Sequence, residues 1–434
     1  MNKILIPLLT LVAMLLINGC DSSNSGKMSN TSVKMDSGAL NQLLDDLFME
    51  ELQQSPQSMT YLGLRDRYGE WDDISDKARD ASMEMTTAHL AKVSKLDLTN
   101  IDEATKLSVK MFIQQATLKI EGDRWRYHSY PVSQMRGAHS MIPSFLINQH
   151  LIANVEEAEA YIQRIVNSSI LLDQLVTEIR IRDRKGILPP KFVFPLVLKS
   201  IENITTGMPF SEGADSTILA DFRTKVAALD IADSEKDKLV TTAKAALEDY
   251  LAPGYEKLHE YLANLQDSAT NDHGVWKFPE GVDFYNFALK RTTTTNLTAV
   301  EIHEMGLEEV ARIQSEMRQI MRRVEFDGDL QDFFSFMRTE PQFYYPDTPA
   351  GKQAYLDQAT LLIDTMKLRL DELFIRKPKA DLMVKAVEPF REASAGQAFY
   401  QSPAPDGSRP GTYFANLYRM SDMSKYNMEA LAYH

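Results

Sequence analysis

The stretch NVEEAEAYIQRIVNSSILLDQLVTEIRIRDRKG, residues 154–186, decides the fold class. Its apolar residues Ala158, Tyr161, Ile162, Ile165, Leu172, Leu175, Val176 and Ile179 recur at a spacing near 3.6, the period of a helix with one buried face. Asn154 is a natural N-cap, with Glu157 three places on as its reciprocal partner. Arg182, Arg184 and Lys185 gather where the helix dipole favours cations. Gly186 and Pro189-Pro190 then stop the helix.

The same period recurs on both sides of this stretch. Thr298 and Glu301 form a capping box, followed by Ile302, Met305, Val310, Ile313, Met317, Ile320 and Val324 as an expected core face. Glu304, Glu308, Arg312, Glu316 and Arg322 are expected on its solvated side. Ser234 to Asp267 reads as a third helix, bent at Pro253. Gly and Pro, 19 and 18 among 434 residues, fall below the roughly 12% of an average chain, which favours long helices over turn-rich sheets.

Only the end of the chain departs from this pattern. Leu382–Val387, Ala398–Gln401 and Thr412–Leu417 are short and rich in β-branched and aromatic residues. Dense turn chemistry separates the last two. The expected fold is therefore mainly α, a large multi-helix body with a small antiparallel β-sheet near the C-terminus. Met428 to His434 reads as the start of a further helix. The aromatic run Phe333 to Tyr345 reads as packed core or as a substrate groove, core being favoured.

The N-terminus reads as an address. A basic start, Met1 to Lys3, precedes an apolar run, Ile4 to Ile17, too short to span a bilayer and suited to a secretory signal. Ile17-Asn18-Gly19-Cys20 is similar to a bacterial lipobox, in which the single cysteine, Cys20, is lipidated and becomes the first mature residue. Two or three acyl chains give firm anchoring, each buried CH₂ contributing about 0.8 kcal/mol. The expected organisation is a signal over residues 1–19, a flexible tether over 20–38 rich in Ser, Asn and Gly, and a helical body over 39–434. This places the body in a bacterial cell envelope, facing the periplasm, and Asp21 resembles an inner-membrane retention signal. The net charge of −14 argues against nucleic acid as a partner.

Most chemical motifs are absent or imitated. His303-Glu304 and His259-Glu260 begin like H-E-x-x-H metal motifs, but Leu307 and Ala263 stand where the second histidine belongs, so both are read as surface positions. His128, His139 and His150 recur at eleven-residue spacing, but Gly137 and the prolines around them break any single helix, so they are read as loop and helix-end residues. No G-x-S-x-G elbow and no phosphate-binding glycine loop occurs.

Several stretches together resemble the bacterial "domain of unknown function 885" family: Ser58–Leu64 (SMTYLGL), Tyr130-Pro131-Val132, Gly186–Pro190, and Arg291–Thr295 leading into Glu301–Gly306 (EIHEMG). The match is best at the end, in Ala398–Pro403 (AFYQSP), Asp406–Tyr413 (DGSRPGTY), Asn416-Leu417 and Glu429–His434 (EALAYH). In that family the last segment continues as His-Glu-x-x-Pro-Gly-His-His, similar to gluzincin zinc peptidases. The resemblance implies a zincin fold in the complete protein, His434 as first zinc ligand, and a glutamate beyond it as general base. It also implies a strand that pairs with peptide substrate, here Thr412–Leu417, with Tyr413 or Asn416 nearest the cleft.

One imidazole does not hold zinc, since such sites use three or four protein ligands. The expectation is thus a portion of a longer, lipid-anchored zinc peptidase that hydrolyses peptides by metal-activated water, inactive as this chain alone. The rival is an envelope lipoprotein that binds peptides or a partner without catalysis.

Overall fold

The computed structural model describes residues 35–434. Cys20, the signal and most of the expected tether lie outside the described residues. The helices are α1 (Ser37–Leu52), α2 (Pro56–Tyr61), α3 (Asp76–Val93), α4 (Glu103–Gly122), α5 (Ala138–Asn148), α6 (Val155–Arg184), α7 (Val193–Ile204), α8 (Thr217–Ala227), α9 (Asp233–Ala246), α10 (Ala252–Leu265), α11 (Gly281–Thr293), α12 (Ala299–Arg323), α13 (Leu330–Thr339), α14 (Pro349–Lys367) and α15 (Lys425–Tyr433). The strands are β1 (Leu382–Ala386), β2 (Ala398–Gln401) and β3 (Gly411–Ala415). Among the described residues no helix is long and apolar enough to cross a membrane. The body begins slightly before residue 39, because the Asp36 carboxylate accepts from the Ala39 N–H and starts α1 at Ser37.

α6 is the axis of the largest core. Its predicted stripe is buried, with Ala158, Tyr161, Ile165 and Leu172 fully covered by α5 and by α7 to α10. Asn154 caps it by accepting from the Glu157 N–H. The reciprocal bond differs from expectation: Glu157 takes the Ala153 N–H, and its other oxygen takes Arg65 at 2.9 Å. α1, α3 and α4 share a separate apolar cluster around Leu40, Leu47 and Val109.

The helix expected to bend at Pro253 is interrupted just before that residue. α9 and α10 are joined by one π-helical turn, Leu247–Leu251. Pro253 cannot donate to the preceding turn, and the wider turn absorbs that missing bond while keeping Leu247 and Leu251 in the core.

Two expectations are corrected. The sheet is mixed, not antiparallel, with strand order β1-β3-β2. β2 and β3 form the expected antiparallel pair, whereas β1 runs parallel to β3, Val384 lying opposite Tyr413. The chain from Val387 to Gln397 crosses from one edge to the other, and β3 then enters between its predecessors. The face of α12 expected in the core lies open: Met305, Val310, Ile313, Ile320 and Val324 are exposed, and only Met321 is buried in that helix. The capping box is present, so the helix begins where the sequence says and lacks only its cover.

Candidate functional site

α15 carries the predicted metal ligand. Met428 is buried and Ala432 half-buried against a cluster that holds Tyr355, Ala359 and Ile363 of α14. His434 closes the helix, its N–H donating to the Ala430 carbonyl at 3.1 Å, with its side chain exposed. Among the described residues no group of three or more His, Cys, Asp or Glu side chains gathers to hold a metal. His434 is one donor, where zinc sites use three or four protein ligands.

The proposed substrate strand is enclosed. β3 is paired along both edges, by β1 and by β2, so its backbone has no free ladder to offer a peptide. The free edges belong to β1 and β2. Tyr413 is only 4% exposed. Its hydroxyl and that of Tyr355 are buried beside one another, and burial pushes both phenols up. Asn416 pins the crossing loop: Nδ2 donates to the Glu392 and Ala395 carbonyls at 2.8 and 3.0 Å, and Oδ1 accepts from the Tyr418 N–H. Tyr413 thus lies in the apolar cluster beside α14, and Asn416 on the loop that crosses the sheet.

Two stretches that carry the family resemblance meet in space. Arg409, almost fully buried, donates to the Ser402 carbonyl at 2.6 Å and to the Tyr61 carbonyl at 3.1 Å. Asp406 lies over Gly63, whose φ of +87° and lack of a Cβ make room for the carboxylate. The loop before β3 therefore docks on the end of α2. Nothing in the local spacing of either stretch announces that contact.

Of the eleven-spaced histidines, His139 lies in the first turn of α5 and His150 just past its end, helix-end positions as expected, but both are buried. His150 Nδ1 accepts from Arg164, and its Nε2 therefore carries the proton donated to the Glu157 carbonyl. Arg164 is fully buried with no carboxylate in ion-pair contact among the described residues. It donates also to Glu70 O and to Thr60 Oγ1, and lies 4.8 to 5.7 Å from the rings of Tyr68, Trp71 and Phe145. His139 is buried in α5 with Nδ1 unpartnered, and desolvation holds its pKa near 4. His128 packs against Trp125 and Phe284. The three rings have separate partners and make no shared site. His303 is exposed and His259 partly exposed, as expected for solvated helix sides.

The aromatic run Phe333 to Tyr345 is half-buried, and Tyr345 packs against the apolar cluster that holds Tyr355. Phe326, Phe336 and Phe343 form a half-buried ladder that ends on Tyr426 of α15. A cleft of about 1280 Å³ lies between α1 to α3 and α6, lined by Phe48, Arg67, Asp72, Arg79 and Ile170 among others. It mixes both charges with exposed apolar side chains.

With this geometry in hand, residues 56–434 match a family described as a bacterial protein of unknown function, DUF885. No curated protein matches the sequence. A crystal structure of a "putative lipoprotein" from Colwellia psychrerythraea is similar at a TM-score of 0.81 and 23% identity, over 92% of this chain and 70% of that one. A second lipoprotein of the same description and of unknown function, from Shewanella oneidensis, is similar at 0.51 and 16% identity, over 90% and 66%. These likenesses establish the helical fold.

Proposed function

Because the chain belongs to the bacterial DUF885 family, we propose that it is the N-terminal portion of a lipid-anchored cell-envelope protein whose complete form is a zinc-dependent peptidase. The observation that carries this reading is His434, exposed at the end of a packed helix and in the place where the family resemblance puts the first ligand of His-Glu-x-x-Pro-Gly-His-His. The second ligand, the third and the general base would come from polypeptide beyond it. This chain alone supplies the helical body and the sheet wall, and is inactive. A peptide substrate would lie along an outer strand, with Tyr413 and Asn416 supporting the wall from behind.

Zinc content and peptide hydrolysis, measured on this chain and on a form extended past His434, test the reading. Stoichiometric zinc and chelator-sensitive cleavage are expected only in the extended form. A folded extended form with neither sinks the peptidase, and a stop codon directly after His434 sinks the longer reading frame. The mixed cleft at α1 to α3 is what favours the second reading, a lipoprotein that binds peptide or partner without catalysis. Lipidation at Cys20 underlies both readings, as do an envelope location facing the periplasm and Asp21 as an inner-membrane signal. Cys20→Ala is expected to move the protein from the membrane fraction to the soluble one, which fractionation and immunoblotting would read.

A further inference from the structure

α12 is long and amphipathic, and its stripe is largely uncovered. Met305, Val310 and Val324 are each more than half exposed, and Ile313 and Ile320 about 40% exposed. None of the three apolar clusters contains a residue of this helix. Its principal neighbour is α13, and a single side chain of the helix, Met321, is buried. Helices in water draw most of their stability from burying such a stripe.

A membrane surface is a poor cover. The first half of α12 carries Glu301, Glu304, Glu308 and Glu309 without a lysine or arginine, whereas helices that lie on anionic lipid present basic residues. The chain itself points to a better one. α15, the last helix of this sequence, is one element away: Lys425 donates to the Gln342 carbonyl, the Tyr426 ring meets Phe343, and Phe343 meets Phe336 of α13. At its other end Tyr433 interacts with Arg369, which adjoins a second exposed apolar group, Leu368, Leu373, Phe374 and Ile375. In the Colwellia protein about three tenths of the length has no counterpart in the match.

We infer that the open face of α12 is the seat for polypeptide that follows His434 in the longer form, an apolar-striped helix of that segment packing along Ile302 to Val324. The inference rests on the reading of this chain as part of a longer protein. It assigns α12 a task, holding in place the segment that would complete the metal site.

Single cysteines on a Cys20→Ser background test it. Val310→Cys and Ile313→Cys report on the face, and Glu304→Cys on the opposite side of the helix. In the 434-residue chain all three should react with maleimide at similar rates. In the form extended past His434 the first two should react at least about tenfold more slowly and the third unchanged. Hydrogen exchange of α12 amides in the unmutated proteins should show the same contrast. Equal reactivity and exchange in both forms overturns the inference. So does protection already present in the 434-residue chain together with a dimer in sedimentation, which would make a second copy the cover. Zinc measured in the same extended sample separates the two ideas. Protection without zinc keeps the seat and removes the peptidase, and zinc without protection does the reverse.

Discussion

Arg164 and His139 show what burial does to single residues, in opposite ways. Arg164 is tied by three acceptors and by aromatic faces, and desolvation lowers its pKa only to about 10, so it stays charged at neutral pH. His139 has no such support and is held neutral. An unfolded histidine binds its proton near 6.5, so between there and about 4 the unfolded chain holds more protons than the native one. Stability is therefore full above 6.5 and falls as pH drops through that window, by up to about 3 kcal/mol from this residue. His150 is shifted in the same direction by burial and by Arg164. His139→Phe should flatten part of the slope when urea midpoints are compared between about pH 7 and about pH 4.5. An unchanged slope would show that His139 is not its source. The signal for Arg164 was present in the sequence, since it falls on the flank of the α6 stripe between Tyr161 and Ser168. Its partners were not legible, because Thr60 and Glu70 are brought in by tertiary packing.

At the scale of elements, caps and stripes were legible and coverings were not. The caps Asn154 and Thr298, an irregularity at Pro253 and the three strand segments follow from local chemistry. Whether a stripe finds a partner is decided by residues far away in sequence, which is why α6 and α12 read alike and ended differently. The parallel β1–β3 pairing was hidden for the same reason. The helix that ends at His434 was legible in the sequence, whereas the enclosure of β3 needed its neighbours on both sides. The two caps should therefore report different things. Asn154→Ala should lower global unfolding free energy by about 1 kcal/mol, because α6 unfolds only with the core. Thr298→Ala should speed amide exchange in α12 and leave the global denaturant midpoint nearly unchanged. A matching loss of global stability in both variants would contradict the open position of α12.

For the molecule as a whole, Arg409 joins regions nearly the full chain apart, and its two carbonyl partners have no other donor among the bonds described. Arg409→Ala leaves both without it and should cost about 2 kcal/mol. Limited proteolysis should then cut the loop between Pro403 and Pro410 faster than in the parent chain, and an unchanged cleavage rate would show that the loop is held by other contacts. The sheet has a temporal consequence as well. Translation delivers β1 and β2 before β3, and in the finished sheet neither is bonded to the other because β3 lies between them. Until the ribosome releases β3, two short ribbons wait with unpaired backbone, open to foreign strands or to whatever chaperone meets them. The middle piece arrives last and closes both sides in one event.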